Sequence, residues 1–139
     1  MKFKIYNSEN SPHTRVSPGH HEPHVTICRN GNVLLNSHLL RLLKNPDRVI
    51  VAEDQEYHGD FYIAASGDPR AFALSSPDKR GSRYFSSSTM SERFEESLKV
   101  KAPFIIAVSE AGRQTEIGMT FPLMVKKVRC IERATSNQQ

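Results

Sequence analysis

Histidine is the side chain best suited to metal ligation and proton transfer near neutral pH. Four of the six histidines crowd the segment that ends at residue 24: His13, His20, His21 and His24, with Glu22 among them. His20-His21-Glu22-Pro23-His24 offers imidazoles and a carboxylate to a divalent ion. Pro23 interrupts any helical register, however, and structural zinc sites draw their ligands from two separated pairs. A solvated polar loop is therefore the simpler reading, and no metal is assigned. The carboxylates Glu53, Asp54, Glu56 and Asp60 form a second concentration, but no nucleophile or oxyanion donor accompanies them, so they read as an acidic turn. Cys28 and Cys130 fit no metal or redox spacing and read as small buried or half-buried strand thiols. With no Gly-rich phosphate loop, nucleophile elbow or paired-histidine motif, enzymatic chemistry is not expected and no cofactor is assigned.

Charge points elsewhere. The 139 residues carry a formal net charge of +4 and an isoelectric point near 9.2, a mild excess that favours acidic partners such as nucleic acid. The chain is long enough to bury a core without metal or disulfide staples. Its longest apolar runs are a few residues and its start, Met1 to Tyr6, lacks the apolar segment of a signal peptide. The expectation is a soluble cytoplasmic protein, in a host cell or virion if phage-encoded, with no membrane partner.

The elements that must position these groups follow from periodicity. In His24 to Arg29, Val25 and Ile27 share one face and Thr26 and Cys28 the other, the alternation of a half-buried strand. Asn30-Gly31 is a strong hairpin turn signal, Val33 to Leu35 the return strand, and Asn36 an N-cap for a short helix striped by Leu39, Leu40, Leu42 and Leu43. Asn45-Pro46-Asp47 ends that helix before a strand at Arg48 to Val51. Strands are expected at Phe61 to Ala65, Ala71 to Leu74, Arg83 to Phe85, Pro103 to Val108 and, as one long stretch, Thr115 to Ile131. A second helix is capped by Ser86 or Ser87 and striped by Met90, Phe94 and Leu98.

Gly31 to Ser37 and Gly81 to Ser87 keep one order: glycine, short strand, polar cap, helix, strand, the glycines being 81 − 31 = 50 residues apart. This predicts a β-rich α+β fold, a pseudo-twofold barrel or strongly curved sheet of about eight strands with two short helices, built from two ββαβ-type units. Residues 1–133 then form a single domain: a strand at 1–6, an extended polar arm at 7–23, one unit at 24–75 and another at 76–133. A polar tail covers 134–139.

Arg29-Asn30-Gly31, Val33-Leu34-Leu35, Asn36 to Leu43, and Asp47 before Val49-Ile50-Val51 resemble the AbrB/SpoVT-type swapped-hairpin DNA-binding domains, members of the cradle-loop barrels. The resemblance covers about thirty residues, 24–53. Asn36 stands where that family usually has proline and Pro46 where it has glycine, and the family pairs two single units in a dimer. The resemblance implies a nucleic-acid-binding face of Arg29, Asn30, Asn32, Arg41 and Arg48, with Lys79, Arg80 and Arg83 as counterparts in the second unit. Such a set grips phosphates without reading bases. Phe61, Tyr62, Tyr84 and Phe85 would add stacking if exposed; as ordinary strand residues they would alternate between core and surface. His24-Val25-Thr26 also resembles one half of the His-x-Thr signature of the two-histidine phosphoesterases, but neither His38-Leu39-Leu40 nor His58-Gly59-Asp60 supplies the second half.

The leading expectation is a nucleic-acid-binding or regulatory module of phage or mobile-element type that holds DNA or RNA through basic turns. The alternative is a structural or protein-interaction protein, a virion component or an inhibitor, that docks a protein partner through residues 7–23 and is open to oligomerisation.

Overall fold

The structure, a computed structural model, describes residues 22–57 and 59–131. The strand expected at residues 1–6, most of the arm at 7–23 with His13, His20 and His21, His58, and the tail lie outside the described residues. No helix among the described residues is long and apolar enough to cross a membrane.

Eleven elements follow in order: β1 (His24–Ile27), β2 (Asn32–Leu35), α1 (Ser37–Leu42), β3 (Arg48–Glu53), β4 (Phe61–Ala65), β5 (Phe72–Ala73), β6 (Arg83–Ser86), α2 (Ser88–Leu98), β7 (Phe104–Val108), β8 (Arg113–Thr115) and β9 (Gly118–Cys130). Hydrogen bonding arranges them as β5-β3-β4-β9-β7-β1-β2-β6, all antiparallel, with β8 added to β9. The ends of this path nearly meet. Ser75 N–H donates to the Tyr84 carbonyl at 2.8 Å, and the Phe72 and Phe85 rings stack with centroids 4.2 Å apart. The result is a nearly closed barrel of eight strands with two short helices, as the pattern predicts.

Alternation fills the interior. Val25, Ile27, Val33, Leu35, Val49, Phe61, Ile63, Phe85, Phe104 and Ile106 are all buried and form one core. Each helix seals part of it. Asn36 caps α1 by accepting from Leu39 N–H at 3.0 Å, which turns Leu39 and Leu40 inward; Ser87 caps α2 in the same way through Met90 N–H, at 3.1 Å. Phe94 of α2 is fully buried and meets Phe61 edge-on at 4.8 Å. Arg93 clamps the same helix to β3, donating to Glu53 at 3.1 and 2.6 Å while its guanidinium lies 5.8 Å from the Phe61 ring.

One expected strand is divided. Thr115 to Ile131 reads as a single extended run, but Glu116 and Ile117 turn the chain, Gly118 takes φ +108, and β8 folds back on β9. β9 then bulges: between Leu123, opposite Val108, and Val128, opposite Ile106, it carries four residues where β7 carries one. Lys126 and Lys127 stand exposed in that bulge.

The repeat is present in the hydrogen bonds. Gly31 N–H donates to the Cys28 carbonyl at 3.2 Å and Gly81 N–H to the Asp78 carbonyl at 3.0 Å; Cys28 N–H donates to Asn32 and Asp78 N–H to Ser82, both at 2.9 Å. Every partner in one turn has its counterpart 50 residues later. Both glycines have positive φ, +93 and +83. The turns are also exchanged between units: a Cβ on Gly31 would lie 3.6 Å from Ser88 Cα at the start of α2, and one on Gly81 3.4 Å from Ser37 Cβ at the start of α1. Beyond the strands the spacing grows by one, since the second cap is Ser87 rather than Ser86, the residue 50 after Asn36.

Candidate nucleic-acid interface

The ladder between β2 and β6 pairs Asn32 with Ser86, Val33 with Phe85, Leu34 with Tyr84 and Leu35 with Arg83. Leu34 and Tyr84 are themselves 50 residues apart, so the pseudo-twofold axis that relates the two turns passes through this pair. Val33, Leu35 and Phe85 point inward, which sends Leu34 and Tyr84 outward; Tyr84 is 41% exposed. Each turn glycine is three residues from the pair, about 10 Å along its strand. The turns therefore flank the axis on opposite sides, Arg29 and Asn30 at one end of the ladder and Lys79 and Arg80 at the other. All four residues are exposed.

The other candidate residues are spent differently. Arg41 is exposed in the last turn of α1, one helical turn after Ser37, which abuts Gly81. Asn32 is half-buried and accepts from the Ser86 hydroxyl at 2.6 Å, a bond across the ladder. Arg48 donates to the carbonyls of Pro69 at 3.1 Å and Ala71 at 2.8 Å. Arg83, whose side chain is 19% exposed, donates to the carbonyls of Ser75 at 2.6 Å and Pro46 at 3.0 Å and approaches Asp47 at 3.8 Å. Both guanidiniums thus satisfy loop carbonyls that no strand partner reaches. They hold the segment that closes the barrel; the structure thus leaves four of the eight candidates exposed in the two turns at either end of the ladder and gives Arg48 and Arg83 internal partners.

Of the four aromatics, Phe61 and Phe85 are core residues, Tyr62 is half-buried and Tyr84 alone is exposed. Outward neighbours of Tyr84 continue across four more strands: Leu34, Thr26, Ile105 and Arg129 lie in one cross-strand row. Arg129, like Lys126 and Lys127, is a basic residue on this half of the barrel that the repeat pattern does not single out. Only the pairing of β9 with β7 brings it into line.

Among the described residues no group of three histidines, cysteines or carboxylates could hold a metal ion. His24 is built into the start of the sheet: its N–H donates to Asn36 Oδ1 at 3.0 Å and its Nδ1 lies 3.2 Å from Asn36 Nδ2. Cys28 is half-buried and its thiol is pushed up from its ordinary pKa by burial, whereas Cys130 is exposed. Comparison with known proteins finds no matching family model, no matching curated protein and no matching solved structure.

Proposed function

We propose that the protein is a nucleic-acid-binding or regulatory module that grips the phosphate backbone through its two symmetric turns. The observation that carries this reading is the placement of exposed Arg29 and Asn30 on one side, and exposed Lys79 and Arg80 on the other, of the outward-facing Leu34–Tyr84 pair. A span of roughly 20 Å between the turns covers several phosphates of one strand. Backbone gripping needs positive groups on a common surface and no base contacts, which is what two exposed basic turns on a rigid ladder supply. The weak likeness of residues 24–53 to AbrB/SpoVT-type domains agrees with this reading. Fluorescence anisotropy of labelled DNA, at low and near-physiological salt, tests it: binding that weakens steeply with salt is expected.

A second reading, a structural or protein-interaction protein, draws support from a different place. Ile117 is 37% and Met119 48% exposed at the β8–β9 tip, apolar groups suited to a protein partner. Salt-independent capture of a partner, lost in an Ile117→Ser/Met119→Ser variant, would favour it.

A further inference from the structure

A groove of about 580 Å³ opens beside the axis, between the second turn and α1. Leu34, Ile105 and Ile131 supply the apolar part of its floor, with Thr26 between Leu34 and Ile105, and His24, His38 and Arg80 stand around it. An outer sheet face exposed to water ordinarily carries polar residues at alternate positions, so an outward floor of this kind is unusual. Its volume falls in the range of small-ligand sites, about 300–1,000 Å³.

The pseudo-symmetry separates the residues that belong to the repeat from those found in one unit alone. The glycines, the turn hydrogen bonds and the polar helix caps do recur. Of the groove residues, Asn36 and Ser37 recur as Ser87 and Ser88, but 50 residues away Arg80 corresponds to Asn30, Leu34 to Tyr84 and His24 to Leu74, while His38, second residue of its helix, corresponds to Thr89. A cation, two imidazoles and an apolar floor are thus concentrated at one of two equivalent places. Asn36 already caps α1, so the short helix contributes no free end; what the groove offers a ligand is its side chains.

We infer that this groove takes one unstacked base of a single-stranded nucleic acid, an inference that rests on the nucleic-acid reading above. The base lies on the aliphatic floor, and Arg80 meets its phosphate. Tyr84 is the cross-strand neighbour of Leu34, so the exposed phenol stands where the next base stacks. Directly paired residues in adjacent strands are about 5 Å apart, so the phenol adjoins the groove. A duplex keeps its bases paired and cannot fill the groove, so the site discriminates for single strands by shape.

The test compares anisotropy of one labelled sequence as single strand and as duplex, with adenosine monophosphate followed in parallel by amide and side-chain NMR shifts. The expected result is a single-strand preference of about tenfold or more, with nucleotide-induced shifts at Leu34, His38, Arg80 and Ile105. Tyr84→Ala should reduce the preference roughly tenfold, and Tyr84→Phe, which keeps a ring, should restore it. Tyr84 is a surface residue, and an unchanged melting temperature verifies folding of both variants. Equal affinity for duplex and single strand, or shifts away from the groove, overturns the groove assignment while leaving the backbone-gripping reading standing. No binding of either form at low salt removes both.

Discussion

Leu34 and Tyr84 face each other across the β2–β6 ladder on the pseudo-twofold axis of the barrel, both directed outward and one of them 41% exposed to solvent. Because the axis is there, the two turns that carry Arg29 and Arg80 are held at equal distances from a single point. One chain thereby presents a symmetric face of the sort that two separate subunits would otherwise assemble.

Gly31 and Gly81 are predicted to be interchangeable in their sensitivity. Each has positive φ and abuts the first residue of the other unit's helix. Gly31→Ala and Gly81→Ala should each cost about 1–2 kcal/mol by chemical denaturation. A cost at only one position would mean that the turns are not equivalent.

The two arginines with internal partners should behave as stability residues. Arg83→Ala strands the carbonyls of Ser75 and Pro46, and a loss of about 2 kcal/mol is expected with little change in the salt dependence of DNA binding. Arg80→Ala should do the reverse, leaving the melting temperature in place and weakening binding.

Arg93 and Glu53 form a two-bond pair against the Phe61 face, whereas Arg70 and Asp68 pair on the open surface with the arginine side chain 89% exposed. In double-mutant cycles the coupling between Arg93 and Glu53 should exceed that between Arg70 and Asp68. A larger coupling for the surface pair would contradict the assignment of Arg93 as the clamp on α2.

The cysteines should separate by reactivity. Burial raises the Cys28 thiol above its ordinary pKa and leaves it protonated at neutral pH, while Cys130 is exposed. Alkylation followed by mass spectrometry should modify Cys130 first, with Cys28 reacting appreciably only as pH rises or the chain unfolds.

Much of the barrel is legible in local signals. Asn30-Gly31, the Asn36 cap, Pro46 and the Phe94–Leu98 stripe are decided within a few residues of themselves, and each stands where the pattern puts it. The glycine spacing of 50 also survives, because the turns are hydrogen-bonded within themselves. What is not legible depends on contacts between distant segments. That Arg48 and Arg83 serve loop carbonyls cannot be told from side-chain type, since an arginine reads alike whether it meets a carbonyl or a phosphate. The division of β9 from β8 at Ile117 lacks a Pro or Asn-Gly signal, Gly118 being its only mark. The groove at Leu34 and Ile105 arises only when β1 is inserted between β2 and β7. Alternation alone, though, tells that Tyr84 and Phe85 cannot both be exposed.

The most direct measurement is the slope of log affinity against log salt for single-stranded DNA, taken for the wild type and for an Arg29→Ala/Lys79→Ala/Arg80→Ala variant. Each phosphate contact contributes about 0.7 to the slope on a single strand, so removing three cations should make it shallower by about 2. An unchanged slope in a folded variant, or no binding by the wild type at low salt, would contradict the role assigned to the symmetric turns.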